Sequence, residues 1–428
     1  MNLFRQFTSE GKQDAISPTY CAAKWFEGTI WLHKGMTASC HHTPLDNIDL
    51  NVNFPSSLFN TTNKIIDRAG MLSGIKVEGC NYCWAIEDKG GVSDRRIKTK
   101  SLLNSVQWYK KTELTSTPVQ LEIAFDRTCN LACAYCGPAF SSKWANDIKQ
   151  HGPYINLITD SKYTTPDEVI DEDNNPYVTA FFNWLPTLSK TLNLLRITGG
   201  EPLMSPNFWK FIDYINENGF DGELHVNTNL VNHKGEVTRL IEKTKGLKIM
   251  IHTSLESSLD QAEYVRSGFD KNAWMTSVNT IMLQTDWVVN VTTAVSSFTV
   301  WNYVDYLDLM LMYKRTHGDK RIEITCNFVN YPVFMRIDLI PKDKRELLAV
   351  EVNEWLTKFK KHLNKHEIEQ INRFITVVGN SEESTNYPYI ELKNALHDLK
   401  TFVPQYDARK GISYKCLDKR FVEWYESI

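Results

Sequence analysis

Cys129, Cys133 and Cys136 stand in the run Cys129-Asn130-Leu131-Ala132-Cys133-Ala134-Tyr135-Cys136, with three and then two residues between successive thiols. The run directly follows the apolar, strand-like segment Val119 to Phe125. That spacing wraps one short loop around a cubic iron–sulfur cluster. Three thiolates on a four-iron cube leave one iron without a protein ligand, and an open iron can hold a small molecule and pass it an electron. Cysteine pairs two residues apart also serve zinc and redox sites, so spacing alone leaves those chemistries open.

The flanking residues narrow the choice. Val119-Gln120-Leu121-Glu122-Ile123-Ala124-Phe125 alternates as a strand does, Tyr135 precedes the third thiol, and Gly199-Gly200-Glu201-Pro202 ends a second apolar strand, Leu194 to Thr198. Together these features resemble the radical S-adenosylmethionine (SAM) superfamily over residues 119–330. The resemblance implies a [4Fe-4S] cluster at Cys129, Cys133 and Cys136, with SAM at the open iron. It implies electron transfer that breaks the sulfonium, a 5′-deoxyadenosyl radical and hydrogen abstraction from a substrate. It also implies a reducing partner such as flavodoxin or ferredoxin.

Gly199 and Gly200 allow close backbone approach, and Glu201 supplies an anion beside it. In the family this turn contacts the SAM amino group. Asn227-Thr228-Asn229 resembles a Thr-Asn-Gly-like turn, with Asn229 where glycine is common. Ser254, in His252-Thr253-Ser254-Leu255-Glu256, resembles a serine near the SAM ribose or carboxylate. Arg266, in Tyr264-Val265-Arg266-Ser267-Gly268, resembles an arginine able to pair with that carboxylate. Val295 ends a strand where relatives contact adenine, with Asn302 following. Tyr135 completes the expected cofactor contacts.

A second thiol set precedes the first. Thirteen residues separate Cys21 from Gly35 and four separate Gly35 from Cys40; Cys80 and Cys83 follow with two residues between them. Trp25, Ile30, Trp31 and the Gly35 turn predict a small β-hairpin that brings Cys21 and Cys40 together. The helix-like run after Cys83 would offer positive amide ends. The set resembles the auxiliary-cluster module called twitch, related to SPASM, although such modules usually follow the barrel. Lys89 stands where a full SPASM module would carry further cysteines. Structural zinc on the same four thiols is the alternative, and His41 and His42 are possible substitute ligands.

The elements that must position these groups follow from the apolar pattern. Strands are expected at Leu194 to Thr198, Glu223 to Asn227, Lys248 to Ser254, Val288 to Val295 and Ile322 to Asn327, alternating with helices. The fold class is therefore α/β: a partial (β/α)6 TIM-like barrel of the radical SAM type, with functional residues at the carboxyl ends of strands. A small N-terminal β-hairpin/helix module (1–117) precedes the barrel (118–335), and a mainly helical extension (336–428) follows it. Residues 100–118 lose periodicity and read as a linker; 160–177 reads as a solvated surface loop.

The 428 residues carry a formal charge of −3 and a hydrophobic share of 42%, which indicates neither a nucleic-acid partner nor a membrane span. Met1 to Glu10 lacks the basic start and apolar stretch of a secretory signal, and most of the nine cysteines fall in tight local sets, which favours metal or cluster ligation in the cytoplasm. Cys326 and Cys416 read as lone buried thiols, and Trp144, Trp184, Trp209 and Trp274 as core. The basic run Lys358 to His366, flanked by Glu351, Glu354, Glu367 and Glu369, reads as a solvated face. Gly137 to Trp144 and Tyr406-Asp407-Ala408-Arg409-Lys410-Gly411 resemble segments of phage-type twitch proteins, with no chemistry attached. A peptide or protein substrate follows from the twitch and SPASM resemblance. A nucleotide or other small metabolite is the alternative, as is a non-catalytic, metal-stabilised binding protein.

Overall fold

The alternating apolar segments become strands because each can bury one face, or both, without leaving backbone groups unpaired. Along the chain they are β1 (Glu27–Trp31), β2 (Met36–Ala38), β3 (Asp46–Asn47), β4 (Gln120–Ala124), β5 (Ala132–Cys133), β6 (Leu194–Thr198), β7 (Glu223–Asn227), β8 (Lys248–Ser254), β9 (Arg266–Ser267), β10 (Val288–Val295) and β11 (Ile322–Phe328). β6, β7, β8 and β10 have the bounds expected from sequence, and β11 runs one residue further. The computed structural model describes residues 16–52, 54–103, 112–159, 163, 170, 174–231, 234–257, 259–380 and 391–428. The linker expected over 100–118 and the loop expected over 160–177 lie partly outside the described residues, and the opening run 1–10 lies wholly outside them.

The chain falls into two units, one of 1–126, 169–199 and 206–225 and the other of 127–168, 200–205 and 226–428. In the first, the strand order is β6-β4-β1-β2-β3. β4 pairs in parallel with β6, Gln120 opposite Leu194, and on its other side in parallel with β1, Gln120 opposite Glu27. β1 and β2 form the expected antiparallel hairpin. Gly35 turns between them at φ +61°, where a Cβ would also lie 2.3 Å from the Tyr177 ring, so both conformation and space demand glycine. Cys21 and Cys80 belong to the apolar cluster of Tyr20, Trp25, Phe26 and Trp84.

In the second unit β8, β10 and β11 run parallel in that order, Val289 opposite both Ile251 and Ile322. Helices Leu259–Val265 and Lys271–Gln284 cross from β8 to β10, and Tyr303–His317 crosses from β10 to β11. The fold is thus mixed α/β with parallel strands, and among the described residues no sheet closes on itself. The helices Lys342–Phe359, Lys365–Gly379, Leu392–Lys410 and Lys419–Ser427 follow. Glu367 departs from the solvated face expected of it. It is fully buried, receives Lys314 Nζ at 2.7 Å, and closes a capping box with Asn364 at the start of Lys365–Gly379. Cys416 also departs: it lies exposed in the short turn Tyr414–Cys416, whereas Cys326 is fully buried in β11.

Candidate functional site

The three-thiol loop is held in the second unit by the short antiparallel pair β5–β9, in which Cys133 faces Arg266 and Ala132 faces Ser267. Cys133 is 9% exposed, and Cys129 and Cys136 are half-buried. The Leu131 amide donates to Cys129 Sγ at 3.4 Å, and the Cys136 amide donates to the Cys133 carbonyl at 2.8 Å. Burial pushes the thiols of Cys129 and Cys133 up to about 12, so without a metal both stay protonated at neutral pH. A cluster would supply the positive charge that ionises them.

Among the described residues no three His, Cys, Asp or Glu side chains converge as the donors of one metal ion must. A four-iron cube asks less convergence, since each thiolate takes its own corner. Three thiols on one loop fit that group.

The Gly-Gly-Glu-Pro turn meets this loop through backbone. A Cβ on Gly199, at φ +121°, would lie 2.7 Å from the Asp126 carbonyl; one on Gly200 would lie 2.3 Å from that of Thr128. Close approach of neighbouring chain therefore accounts for both glycines. The Glu201 amide donates to the Thr128 carbonyl at 2.6 Å. The Glu201 carboxylate accepts the Leu203 amide on Oε1 at 3.1 Å and the Asn229 amide on Oε2 at 2.6 Å. Asn229 Nδ2 in turn donates to Asn130 Oδ1 at 2.7 Å, linking this turn to the cysteine loop. Glu201, Asn229 and Asn130 share a cavity of about 80 Å³ with Leu203, Thr228 and Val237. The left-handed residue here is Leu230, at φ +56°, one position after Asn229.

Burial raises the Glu201 carboxyl to about 7 against the pull of the Asn229 and Leu203 amides. Its value in the folded chain lies above the ordinary 4.5, so its contribution to stability is complete below about pH 4.5 and lost as pH rises through about 7. The metal-free protein should therefore lose on the order of 3 kcal/mol across that window through this one group. In urea titrations at a series of pH values, Glu201→Gln should flatten that fall relative to wild type. Parallel curves for the two proteins would contradict this assignment.

Arg266 is held in a buried ion pair. It is 5% exposed, and its Nη1 donates to Glu256 Oε1 at 2.9 Å and to the Tyr135 hydroxyl at 2.8 Å. The Tyr135 hydroxyl donates to the same Glu256 oxygen at 2.6 Å. Burial works against the guanidinium charge, but Glu256 outweighs it and holds Arg266 well above its ordinary value. Among the described residues, Arg266 Nε and Glu256 Oε2 are buried with no hydrogen-bond partner. Sequence reasoning gave Glu256 no role, because nothing local shows that a carboxylate two residues past a strand turns inward. Ser254 and Asn227 are half-buried at the ends of β8 and β7, while Val295, 1% exposed, and Asn302, 2% exposed, are enclosed in packing.

In the first unit Cys21, Cys40, Cys80 and Cys83 line one cavity of about 20 Å³. Cys21 precedes helix Ala22–Phe26, the β1–β2 hairpin brings Cys40 back, and Cys80 opens helix Asn81–Glu87 with Cys83 in its first turn. Burial raises Cys21 to about 11 and Cys80 to about 12, and raises Cys83. Lys24, Arg95 and Lys98 line the same cavity, each paired with a carboxylate: Asp67, Glu87 and Glu27 respectively. His42 Nε2 meets Asp94 Oδ2 at 2.6 Å, and its ring stacks on Tyr82 at 3.8 Å. Four thiols around one cavity fit a fully ligated metal–thiolate group.

No family model matches the chain, and no curated protein does. Among solved structures, native anSMEcpe with bound AdoMet and Kp18Cys peptide matches at 11% identity with a TM-score of 0.38, over 56% of this chain. The match spans 61% of that protein's length. Streptococcus suis SuiB matches at 12% identity and TM-score 0.39, over 85% of this chain and 75% of its own. The SuiB structure bound to precursor peptide SuiA matches at 11% and 0.38, over 79% and 70%. Likenesses this distant assign neither fold nor activity. No helix among the described residues is long and apolar enough to cross a membrane.

Proposed function

We propose that the chain is a radical SAM enzyme that cleaves SAM reductively at a [4Fe-4S] cluster on Cys129, Cys133 and Cys136 and abstracts hydrogen from a peptide or protein. The observation that carries this reading is one loop presenting three thiols, Cys133 buried and Cys129 and Cys136 half-buried, beside the Glu201 turn. When bound, the cluster supplies one electron to the sulfonium, which yields methionine and a 5′-deoxyadenosyl radical.

The chain's own groups do the rest. Glu201, once ionised, offers charge toward an ammonium while keeping the turn tied to Asn229. The orphaned Arg266 Nε and Glu256 Oε2 would be satisfied by a carboxylate and a hydroxyl, groups that SAM carries. Half-buried Tyr135 keeps that pair in place. The partial (β/α)6 barrel is the architecture we propose for the parallel strands and their crossover helices. An auxiliary cluster on Cys21, Cys40, Cys80 and Cys83 completes the reading, with flavodoxin or ferredoxin as electron donor and the cytoplasm as compartment. The peptide substrate class rests on the likeness of this thiol set to twitch and SPASM modules.

Anaerobic reconstitution followed by iron and acid-labile sulfide assay tests this. Wild type should hold about eight of each per chain and Cys83→Ala about four. Cys83→Ala should still release 5′-deoxyadenosine from SAM while losing coupled product. Zinc without sulfide in wild type would contradict the reading, and full coupled turnover by Cys83→Ala would show the N-terminal thiols dispensable.

A further inference from the structure

The run Ser141-Ser142-Lys143-Trp144 turns its side chains onto the cysteine loop. Successive peptide carbonyls, from Cys129 to Ala134, each receive a side-chain donor. Ser142 Oγ reaches the Cys129 carbonyl at 3.3 Å, Lys143 Nζ that of Asn130 at 3.0 Å, and Ser141 Oγ that of Leu131 at 2.7 Å. Trp144 Nε1 reaches the Cys133 carbonyl at 2.9 Å, and the Tyr163 hydroxyl that of Ala134 at 2.5 Å. The Tyr406 hydroxyl lies 3.3 Å from the Ala132 carbonyl and 3.1 Å from that of Tyr264, and its one proton is shared between them. Trp144, Tyr163 and Tyr406 are fully buried. The two-residue ladder β5–β9 is too short to satisfy so irregular a loop alone, and side chains supply further donors to its carbonyls.

One of these contacts reaches a thiol. A trans peptide is planar, so a donor on its carbonyl points its N–H to the opposite side. Lys143 holds the Asn130 carbonyl, and the N–H of that same peptide, on Leu131, donates to Cys129 Sγ at 3.4 Å. An ammonium on the carbonyl polarises the peptide and strengthens the N–H to sulfur bond. Gly268 makes the arrangement possible: at φ +96°, a Cβ there would lie 2.3 Å from Lys143 Nζ and 3.0 Å from the Asn130 carbonyl.

We propose that Ser141 to Trp144, with Tyr163 and Tyr406, positions the cysteine loop, and that Lys143 raises the reduction potential of its cluster through the Asn130–Leu131 peptide. The inference rests on the cluster assignment above. Hydrogen bonds to sulfur and nearby charge both move such potentials, and removing this cation weakens both.

The test is an EPR-monitored redox titration of the reconstituted full chain, following the signal that SAM alters. Lys143→Met should lower its midpoint potential with iron and sulfide content unchanged, and Lys143→Arg should restore it in part. In parallel, Tyr406→Phe should lose the same cluster to a chelator about two- to tenfold faster than wild type, the scale of one neutral hydrogen bond. An unchanged midpoint in Lys143→Met and an unchanged chelation rate in Tyr406→Phe would overturn the proposal. Wild type without a SAM-responsive cluster would instead overturn the function on which it rests.

Discussion

Cys133→Ala is expected to reduce 5′-deoxyadenosine formation to that of a protein-free control. Cys133 is the most enclosed thiol of its loop, lies in β5, and is locked by pairing with Arg266 of β9. No neighbour can replace it. The other cysteines of the second unit are Cys326, wholly buried in β11, and Cys416, in an exposed turn. Two thiolates cannot hold a cube with one corner open, so cluster content should fall by about half in the full chain, leaving the N-terminal set. The truncation itself removes only a sulfur and should cost about 1 kcal/mol, so loss of activity without loss of fold separates ligation from packing. Wild-type SAM cleavage by this variant would contradict the ligand assignment.

The second large effect is on stability. Arg266→Met should destabilise the metal-free protein by about 3–5 kcal/mol, because it leaves the Glu256 carboxylate buried without its cation. The Glu256 side chain is wholly inaccessible and Tyr135 alone cannot neutralise it. Removing both charges in Arg266→Met/Glu256→Gln should recover most of the loss, which a double-mutant cycle in urea would measure. A fall below about 1 kcal/mol in the single variant would show that the pair is hydrated rather than buried. If Arg266 also binds the SAM carboxylate, the double variant should regain stability and still bind SAM poorly.

Much of this was legible in the sequence. The strand segments alternate or run apolar for five to eight residues between turn signals, and β6, β7, β8 and β10 fall where that pattern places them. The hairpin that gathers Cys21 and Cys40 follows from Gly35, a local signal. What could not be read depends on contacts between residues far apart in the chain. The buried ion pair of Arg266 with Glu256 is one such contact, because Glu256 carries no local mark of burial. The sequence does not show that the missing Cβ atoms of Gly199 and Gly200 also make room for the chain at 126–128. Ser141 to Trp144 and Tyr406 had no role until folding brought both segments onto the same carbonyls. Cys416 and Glu367 were misplaced for the same reason: a cysteine in an aromatic segment is usually buried and a glutamate beside lysines usually exposed, and packing reversed both.

The most direct measurement is incubation of the anaerobically reconstituted protein with dithionite and SAM, followed by quantitation of 5′-deoxyadenosine and methionine. The cluster site described here should give the two in equal amounts from wild type, and neither from Cys133→Ala. Wild type that carries its full iron and sulfide yet leaves SAM intact would contradict it.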